Sequence, residues 1–327
     1  MKITLKEAAK MLGEAGRILL LTHSRPDADT MGSAFGLAHA LTSDGIRTVK
    51  VACVDPLPKR LSFLSEEKDL RLENYKNFAP DIVCAIDAAE TWLIKELPED
   101  REIDIKIDHH PSGSEYAVYN HIDGTAAATG ELIFEVVKYL EEMELGHLTK
   151  EAATALYAAI ASDTGCFKYT NVTPKTLRVA AELMEAGADQ PLVNLRLFGT
   201  KTRKEIVAEK LMLDGMKTYL DGRVRFLMLT NEVKDANGLI DEDLGEIVSS
   251  MREIEGTELS VFVRQETKET DKYKISMRSA ENISADKLCA IFGGGGHERA
   301  AGASTSAKSP ADAERMITEK VLNALQN

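Results

Sequence analysis

The stretch IDIKIDHH at residues 103–110 alternates isoleucine with polar residues and then ends in an Asp-His-His triplet. Alternation with a period of two residues predicts a short β-strand, with the triplet just past its carboxyl end. In open parallel α/β sheets, ligands bind outside the carboxyl ends of the strands. We therefore expect this triplet to hold one half of a two-metal site, with the remaining ligands supplied by other parts of the chain.

Apolar patterns on both sides of this stretch predict the rest of the sheet. Short runs rich in Leu, Ile and Val suit buried parallel strands, and they lie at 18–21, 48–54 and 82–86. Helical spacing of apolar residues predicts helices at 3–15, 34–41, 129–142 and 150–161. A further helix should start at Pro174 with Thr173 as its N-cap. This alternation predicts an α/β fold with a doubly wound parallel sheet flanked by helices.

The chain is long for a single hydrophobic core, so its 327 residues favour two domains. From about Met216 the pattern changes, and 223–229, 258–264 and 272–278 are typical of strands in a smaller α/β domain with a mixed sheet. We expect a first, catalytic domain at 1–187, a helical linker at 188–215 and a second, substrate-binding domain at 216–327.

Composition and charge narrow the class of protein. The chain is 44% hydrophobic and 28% charged, and no apolar run approaches the roughly 18 to 20 residues of a membrane span. The charged amino terminus lacks the apolar core of a signal peptide, so we expect a cytoplasmic protein with no membrane partner. A net charge of −13 disfavours a protein that coats long nucleic acid. A small phosphorylated substrate remains compatible, because bound divalent cations reverse the local field.

Six His and Asp residues lie at or just beyond the ends of predicted apolar elements. These candidate metal ligands are His23, Asp27, Asp29, Asp87, His109 and Asp163. Such a donor set suits Mn²⁺, Fe²⁺, Zn²⁺ or Mg²⁺, and its many carboxylates favour the harder ions. Taken singly, each Asp could instead form a turn or cap a helix, and each His could be structural. The combination of H-x-x-x-D-x-D, D, D-H-H and D-T-G, each after a predicted strand or helix, favours a metal site.

On these motifs the chain resembles the DHH phosphoesterase superfamily and, within it, the DHH–DHHA1 group of NrnA-type oligoribonucleases (nanoRNases) and pAp phosphatases. The resemblance covers nearly the whole chain. The stretches that carry it are His23–Asp29, Ala85–Asp87, Asp108–His110, Ser162–Gly165 and Gly293–Gly302.

This resemblance implies a division of labour among the candidate residues. His23 and Asp27 would hold one metal ion, while Asp29, His109 and Asp163 would hold the other. Asp87 would bridge the two ions, and one shared carboxylate suits a pair about 3.5–4 Å apart that activates a water for attack at phosphorus. The catalytic residues would be Asp87, His110, which would face the substrate phosphate or leaving oxygen, and Asp108, which would orient the histidines.

A glycine-rich stretch near the carboxyl terminus is the candidate substrate-binding segment. Gly293–Gly296 can expose successive N–H groups to an anion, although a flexible hairpin turn is the alternative. Arg278 ends a predicted strand and could bind a phosphate or form a surface salt bridge. The resemblance implies that nucleotide phosphate is bound in a cleft between the two domains, and the residues concerned are Arg278, Gly294, Gly295, Gly296 and His297.

The function that the resemblance implies is metal-dependent phosphoester hydrolysis with two divalent ions, Mn²⁺ foremost and Mg²⁺ or Co²⁺ as alternatives. Substrates would be very short oligonucleotides such as pApA, cleaved to nucleoside 5′-monophosphates, and 3′-phosphoadenosine 5′-phosphate (pAp), cleaved to AMP. One alternative is an inorganic pyrophosphatase or exopolyphosphatase of the same superfamily. Another is a non-catalytic nucleotide sensor. The sequence indicates no partner protein and leaves the oligomeric state open, with a homodimer as one candidate.

Overall fold

The computed structural model describes residues 1–65, 70–71, 77–94, 101–280 and 282–326. It divides the chain into two compact units, Met1–Thr200 and Lys201–Asn327. The division falls within the segment 188–215, for which the sequence predicts a helical linker. No helix in the described ranges is both long enough and apolar enough to cross a bilayer.

A five-stranded parallel sheet forms the centre of the first unit. Its strands are β1 (Arg17–Leu21), β2 (Thr48–Ala52), β3 (Ile82–Ile86), β4 (Ile105–Asp108) and β5 (Tyr119–Ile122). They lie in the order β2-β1-β3-β4-β5, and every neighbouring pair is parallel. The predicted doubly wound parallel sheet is therefore confirmed. In this strand order the winding direction reverses between β1 and β3, which is the point where such sheets bind ligands.

Helices flank this sheet, as the sequence predicts. They are α1 (Leu5–Glu14), α2 (Ala28–Leu41), α3 (Thr129–Glu142), α4 (Lys150–Asp163), α5 (Pro174–Glu185) and α6 (Gln190–Asn194). Thr173 caps α5 and Pro174 is its first residue, so this helix start is confirmed. In contrast, α2 begins well before the predicted start at residue 34, because Asp27 caps it from within the polar loop. Strand β5 is not predicted, because its sequence Tyr-Asn-His-Ile has neither an apolar run nor a regular alternation.

Helices α2 and α4 pack very closely, and this contact positions the ends of both helices. A Cβ at Gly32 would lie 2.4 Å from the carbonyl oxygen of Ala155, and one at Gly36 would lie 2.6 Å from Leu156. Only glycine against an alanine-rich helix permits this approach. Gly32 also faces Ala159 and Gly36 also faces Ala152, so the two helices run in opposite directions and the beginning of α2 lies beside the end of α4.

The second unit contains a six-stranded mixed sheet. Its strands are β6 (Lys217–Tyr219), β7 (Val224–Leu229), β8 (Leu259–Gln265), β9 (Lys272–Ser279), β10 (Gly295–His297) and β11 (Ala300–Ser306). The order is β10-β11-β9-β8-β7-β6, with β7 and β8 parallel and the other pairs antiparallel. The predicted mixed sheet is confirmed. The helices of this unit are α7 (Arg203–Gly215), α8 (Asn231–Ala236), α9 (Ile247–Arg252), α10 (Ala285–Ala290) and α11 (Pro310–Gln326).

Candidate metal centre

The six candidate ligands meet at the carboxyl edge of the parallel sheet, around the gap between β1 and β3. They are His23 and Asp27 in the loop after β1, Asp29 in the first turn of α2, Asp87 directly after β3, His109 directly after β4 and Asp163 at the last residue of α4. Parallel strands bring these ends to one edge, and the antiparallel contact of α2 with α4 brings in the two helical aspartates.

The six residues form two groups, each able to hold a metal ion. In the first group, Nε2 of His23 lies 3.6 Å from Oδ2 of Asp27 and 3.6 Å from Oδ2 of Asp87. In the second group, Nε2 of His109 lies 3.7 Å from Oδ2 of Asp29 and 3.3 Å from Oδ2 of Asp163. Within each group the ligand atoms all lie within 4.8 Å of one another, which is close enough for one cation to contact all of them.

Asp87 faces both groups at once. While its Oδ2 atom faces His23, its Oδ1 atom lies 3.7 Å from Nε2 of His109. Its backbone adopts a left-handed conformation with φ of 56°, which Asp tolerates better than most residues. The hydroxyl of Thr129 donates to Oδ1 at 2.8 Å and fixes the buried carboxylate. Thr129 does not figure among the predicted site residues.

Asp27 and Asp29 hold helix ends in addition to facing the candidate metal positions. Oδ1 of Asp27 accepts the backbone N–H groups of Asp29 and Thr30, both at 3.0 Å, and so caps α2. The two oxygens of Asp29 accept the N–H groups of Thr129 at 2.8 Å and Gly130 at 3.0 Å at the start of α3. The N-cap residue of α3 is an alanine, which has no acceptor, so Asp29 supplies the cap from another helix. A carboxylate oxygen with one such bond retains a lone pair for a cation.

The excess of carboxylates over imidazoles in this cluster favours the binding of cations. Burial, together with the negative charges of Asp87 and Asp163, raises the pKa of Asp29 well above its usual range. Burial alone would lower the pKa of His109, but hydrogen bonding to Asp163 and the charges of the other carboxylates outweigh it and raise the pKa to about 11. The pKa of His23 is raised well above its usual range in the same way, by Asp27 and Asp87.

Protons therefore occupy this cluster when no cation does. Two divalent ions would offset the carboxylates directly and release the imidazole nitrogens as ligands. The oxygen-rich donor set with two imidazoles fits Mn²⁺, Mg²⁺ or Co²⁺, whereas the described residues supply no thiolate to the site.

His110 is held beside the metal groups by Asp108. Oδ1 of Asp108 accepts the backbone N–H of His110 at 3.1 Å and lies 2.7 Å from its Nδ1. Nδ1 also lies 3.5 Å from Oδ1 of Asp87. These three side chains lie close enough to form a further metal group. However, the ammonium group of Lys106 lies 3.0 Å from Oδ2 of Asp108 and would repel a cation there. Asp108 therefore acts as a hydrogen-bonding partner of His110.

In the second unit, strand register aligns Arg278 with His297. Both residues pair with Ala300 of β11, which lies between β9 and β10. Directly paired residues point to the same face of a sheet, so the two basic side chains share one face, about 10 Å apart as two strand spacings require. The small side chain of Ala300 between them leaves room for a ligand.

The glycine-rich stretch forms one strand of this hairpin, with most of its N–H groups in use. The N–H groups of Gly293 and Gly294 donate to Ala290 and Cys289, and that of Gly296 donates to Oδ1 of Asp286. The predicted row of free N–H donors is therefore not present at these positions. Glycine is required instead for close approach, since a Cβ at Gly294 would lie 2.2 Å from the carbonyl oxygen of Gly302.

Two further polar residues contact the site without having been predicted. Thr129 begins a correctly predicted helix, but no local pattern shows that its hydroxyl reaches Asp87. Lys106 occupies a polar position of the alternating stretch, and alternation predicts a solvated side chain there. In the structure both faces of β4 are covered, so Lys106 and Asp108 are fully buried.

The chain matches two protein-family models and several known proteins. The family model "DHH family, N-terminal domain" matches residues 17–160, and the DHHA1 domain model matches residues 227–327. The bifunctional oligoribonuclease and PAP phosphatase NrnA of Thermus thermophilus is 31% identical over 95% of this chain and 90% of that protein. The Bacillus subtilis protein of the same name is 30% identical over 90% of this chain and 91% of its own length.

A solved structure shows the same fold. The exopolyphosphatase-related protein from Bacteroides fragilis superposes with a TM-score of 0.86, covering 99% of this chain and 97% of that one, at 24% sequence identity. At this identity the likeness concerns the fold alone.

Proposed function

This chain belongs to the DHH family, and from that premise we propose that it is a metal-dependent phosphoesterase that hydrolyses very short oligonucleotides to nucleoside 5′-monophosphates. We extend the proposal to pAp as a second substrate, converted to AMP. The names of the Thermus thermophilus and Bacillus subtilis relatives, oligoribonuclease and PAP phosphatase, support both activities.

The observation that carries this proposal is the position of Asp87 between two complete ligand groups. One oxygen faces His23 and the other faces His109, as a carboxylate shared by two cations requires. We propose that His23 and Asp27 hold one ion and that Asp29, His109 and Asp163 hold the other. When bound, the two ions would activate a water and offset the negative charge that develops at phosphorus.

His110 and Asp108, beside the metal groups, would then control proton transfer to the leaving group. Burial lowers the pKa of His110, but its hydrogen bond to Asp108 and the charge of Asp87 outweigh this effect and raise the pKa. The contact with Asp108 therefore favours the protonated form of the His110 ring. We propose that this ring, oriented through Nδ1 by Asp108, donates a proton from Nε2 to the leaving oxygen.

Selection for short substrates would come from the second unit. Arg278 and His297 share one sheet face beside the glycine hairpin, and a guanidinium suits bidentate binding of phosphate. We propose that these two side chains, together with the hairpin strand of Gly294, Gly295 and Gly296, bind a phosphate other than the one attacked. Substrates such as pApA and pAp carry this second phosphate.

The test is a substrate panel with a metal titration. The purified protein should release AMP from pApA and from pAp with Mn²⁺, and with Mg²⁺ or Co²⁺ to a lesser extent. It should act far more slowly on a 24-residue oligonucleotide and on pyrophosphate. EDTA should abolish turnover of every substrate. Hydrolysis of pyrophosphate in preference to pApA would identify a pyrophosphatase instead, and tight binding of pAp without turnover in the presence of metal would identify a sensor.

A further inference from the structure

Lys106 is a lysine with no exposed surface in the middle of β4, directly beneath the Asp-His-His triplet. Its ammonium group donates to the carbonyl oxygens of Ala89 at 2.9 Å and Ser114 at 3.0 Å. Its Nζ also forms an ion pair with Asp108, 3.0 Å from Oδ2, although that oxygen accepts no hydrogen bond among the described residues. The ring of Tyr116 covers the ammonium group, with its centroid 4.7 Å from Nζ. The charge of this lysine is therefore paired with Asp108, and two of its donors bind backbone carbonyl oxygens.

Burying an ammonium group costs several kcal/mol, and a well-packed apolar side chain would often stabilise the fold equally well. The residues around the ammonium group of Lys106 indicate which parts of the structure its charge holds in place. The loop after the triplet folds over the ammonium group at Gly113, where a Cβ would lie 2.8 Å from Nζ and 3.0 Å from Oδ2 of Asp108. Lys106, in strand β4, therefore contacts both the loop that contains Gly113 and Ser114 and the segment after β3 that contains Ala89.

The contact between Lys106 and Asp108 also affects the orientation of His110. Because Lys106 engages Oδ2 of Asp108, the carboxylate keeps Oδ1 turned toward the backbone N–H and Nδ1 of His110. Without the lysine, both oxygens of this buried carboxylate would compete for the same imidazole, and the carboxylate would be free to rotate. The ring of His110 would then lose its fixed orientation.

We propose that Lys106 is a positioning residue that orients His110 through Asp108 for the reaction ascribed to this site. The proposal rests on the proposed function for its kinetic part only. Its structural part, that Lys106 fixes the orientation of the His110 ring, is testable on the metal-free protein without any substrate.

A second buried lysine provides a matched control. Lys234 is also almost fully buried, and its Nζ pairs with Oδ1 of Asp241 at 3.0 Å and donates to the carbonyl oxygen of Gln265 at 2.9 Å. It belongs to the second unit, where its Nζ also lies 3.4 Å from the hydroxyl of Thr267. Lys234→Met therefore reproduces the loss of a buried, paired ammonium group without the proposed positioning role.

The experiment compares Lys106→Met with Lys234→Met in the full chain. Both variants should lose thermal stability to a similar degree. Only Lys106→Met should lower kcat, by about 10- to 100-fold as for partners that orient a reacting group, with KM and Mn²⁺ affinity within about threefold of wild type. In spectra of the metal-free protein with ¹⁵N-labelled histidine, the His110 ring signals should shift in Lys106→Met and stay unchanged in Lys234→Met.

Two further variants keep the test decisive. Lys106→Gln retains a hydrogen-bond donor without the charge, so it provides the same readouts with a smaller kcat loss if Lys106→Met does not fold. Lys106→Met/Asp108→Asn should be no slower than Asp108→Asn alone, because both substitutions act on the same path. Unchanged His110 signals and unchanged kcat in the foldable Lys106 variant would overturn the inference. If wild type hydrolyses no substrate, the proposed function fails, and the His110 signals alone still decide the role of Lys106.

Discussion

The carboxyl edge of the parallel sheet and the outer face of β9–β11 are built in opposite ways. At the sheet edge, charged side chains converge from the ends of β1, β3 and β4 and from α2 and α4, and they are fixed by neighbours, as Asp29 is by two N–H groups of α3. On the β9–β11 face, Arg278 is half-buried and His297 is exposed, and strand register aligns them. The first region therefore depends on the balance of charges among its side chains, whereas the second depends on basic side chains that extend toward a ligand.

This contrast leads to an ordering of mutational effects. Changes at the sheet edge should remove turnover and alter cation binding, because each carboxylate there has several roles. Changes on the β9–β11 face should weaken substrate binding and leave the metal groups intact.

The largest effect should follow from Asp87→Asn. Asparagine tolerates the left-handed backbone and keeps the acceptor for Thr129, but it cannot supply negative charge to two cations. We expect kcat for pApA to fall about 1,000-fold or more, with the far-ultraviolet circular dichroism spectrum unchanged. Asp123→Asn, in the loop after strand β5 of the same sheet, is the matched control and should retain activity. Full activity of Asp87→Asn would remove the basis of the two-metal proposal.

The next effect concerns pH and metal loading. In the metal-free protein the raised pKa values of His23 and His109 keep both rings protonated at neutral pH, so cation binding must release protons. The apparent Mn²⁺ affinity should therefore rise with pH, by about tenfold per pH unit for each proton released. Isothermal titration in buffers of different ionisation enthalpy measures the number of protons. A pH-independent affinity between pH 6 and pH 8 would show that the rings are not ligands.

A smaller effect should follow from Arg278→Ala on the β9–β11 face. Loss of a charge-assisted contact to phosphate costs about 1.5 to 3 kcal/mol, so kcat/KM for pAp should fall about 10- to 100-fold, chiefly through KM. The Mn²⁺ affinity should not change. Arg223→Ala, which removes an exposed arginine paired with Glu258, should leave all constants unchanged. A loss confined to kcat would contradict a role in substrate binding.

The smallest effect, and one of opposite sign, should follow from Asp29→Asn. Because burial and neighbouring charges raise the pKa of Asp29, its charged form destabilises the metal-free fold at pH values above that pKa. Asparagine removes this penalty and retains one acceptor for the start of α3. We expect the metal-free variant to gain on the order of 1 kcal/mol in stability, measured by urea unfolding at pH 7, while losing the stabilisation by Mn²⁺. A less stable metal-free variant would show that the cap of α3 outweighs the charge repulsion.

Much of the fold follows from local pattern. Apolar runs and helical spacing place β1, β3, α3, α4 and the start of α5 close to their observed bounds. They also place the six candidate ligands at element ends, which a parallel sheet must bring to one edge. Strand β5 has neither an apolar run nor a regular alternation, and strands β6 and β10 have only three residues each. The start of α2 depends on a cap that lies within a loop.

The sequence by itself determined the class of fold and which side chains could reach one edge of the sheet, because periodicity records which face of each element is apolar. Only the tertiary structure decided how the polar groups pair: that Asp29 caps α3, that Asp87 faces two groups, and that Lys106 is buried against Asp108. The physical reason is that a buried polar group must find its partner, and that partner lies on whichever element packs beside it, often remote in sequence.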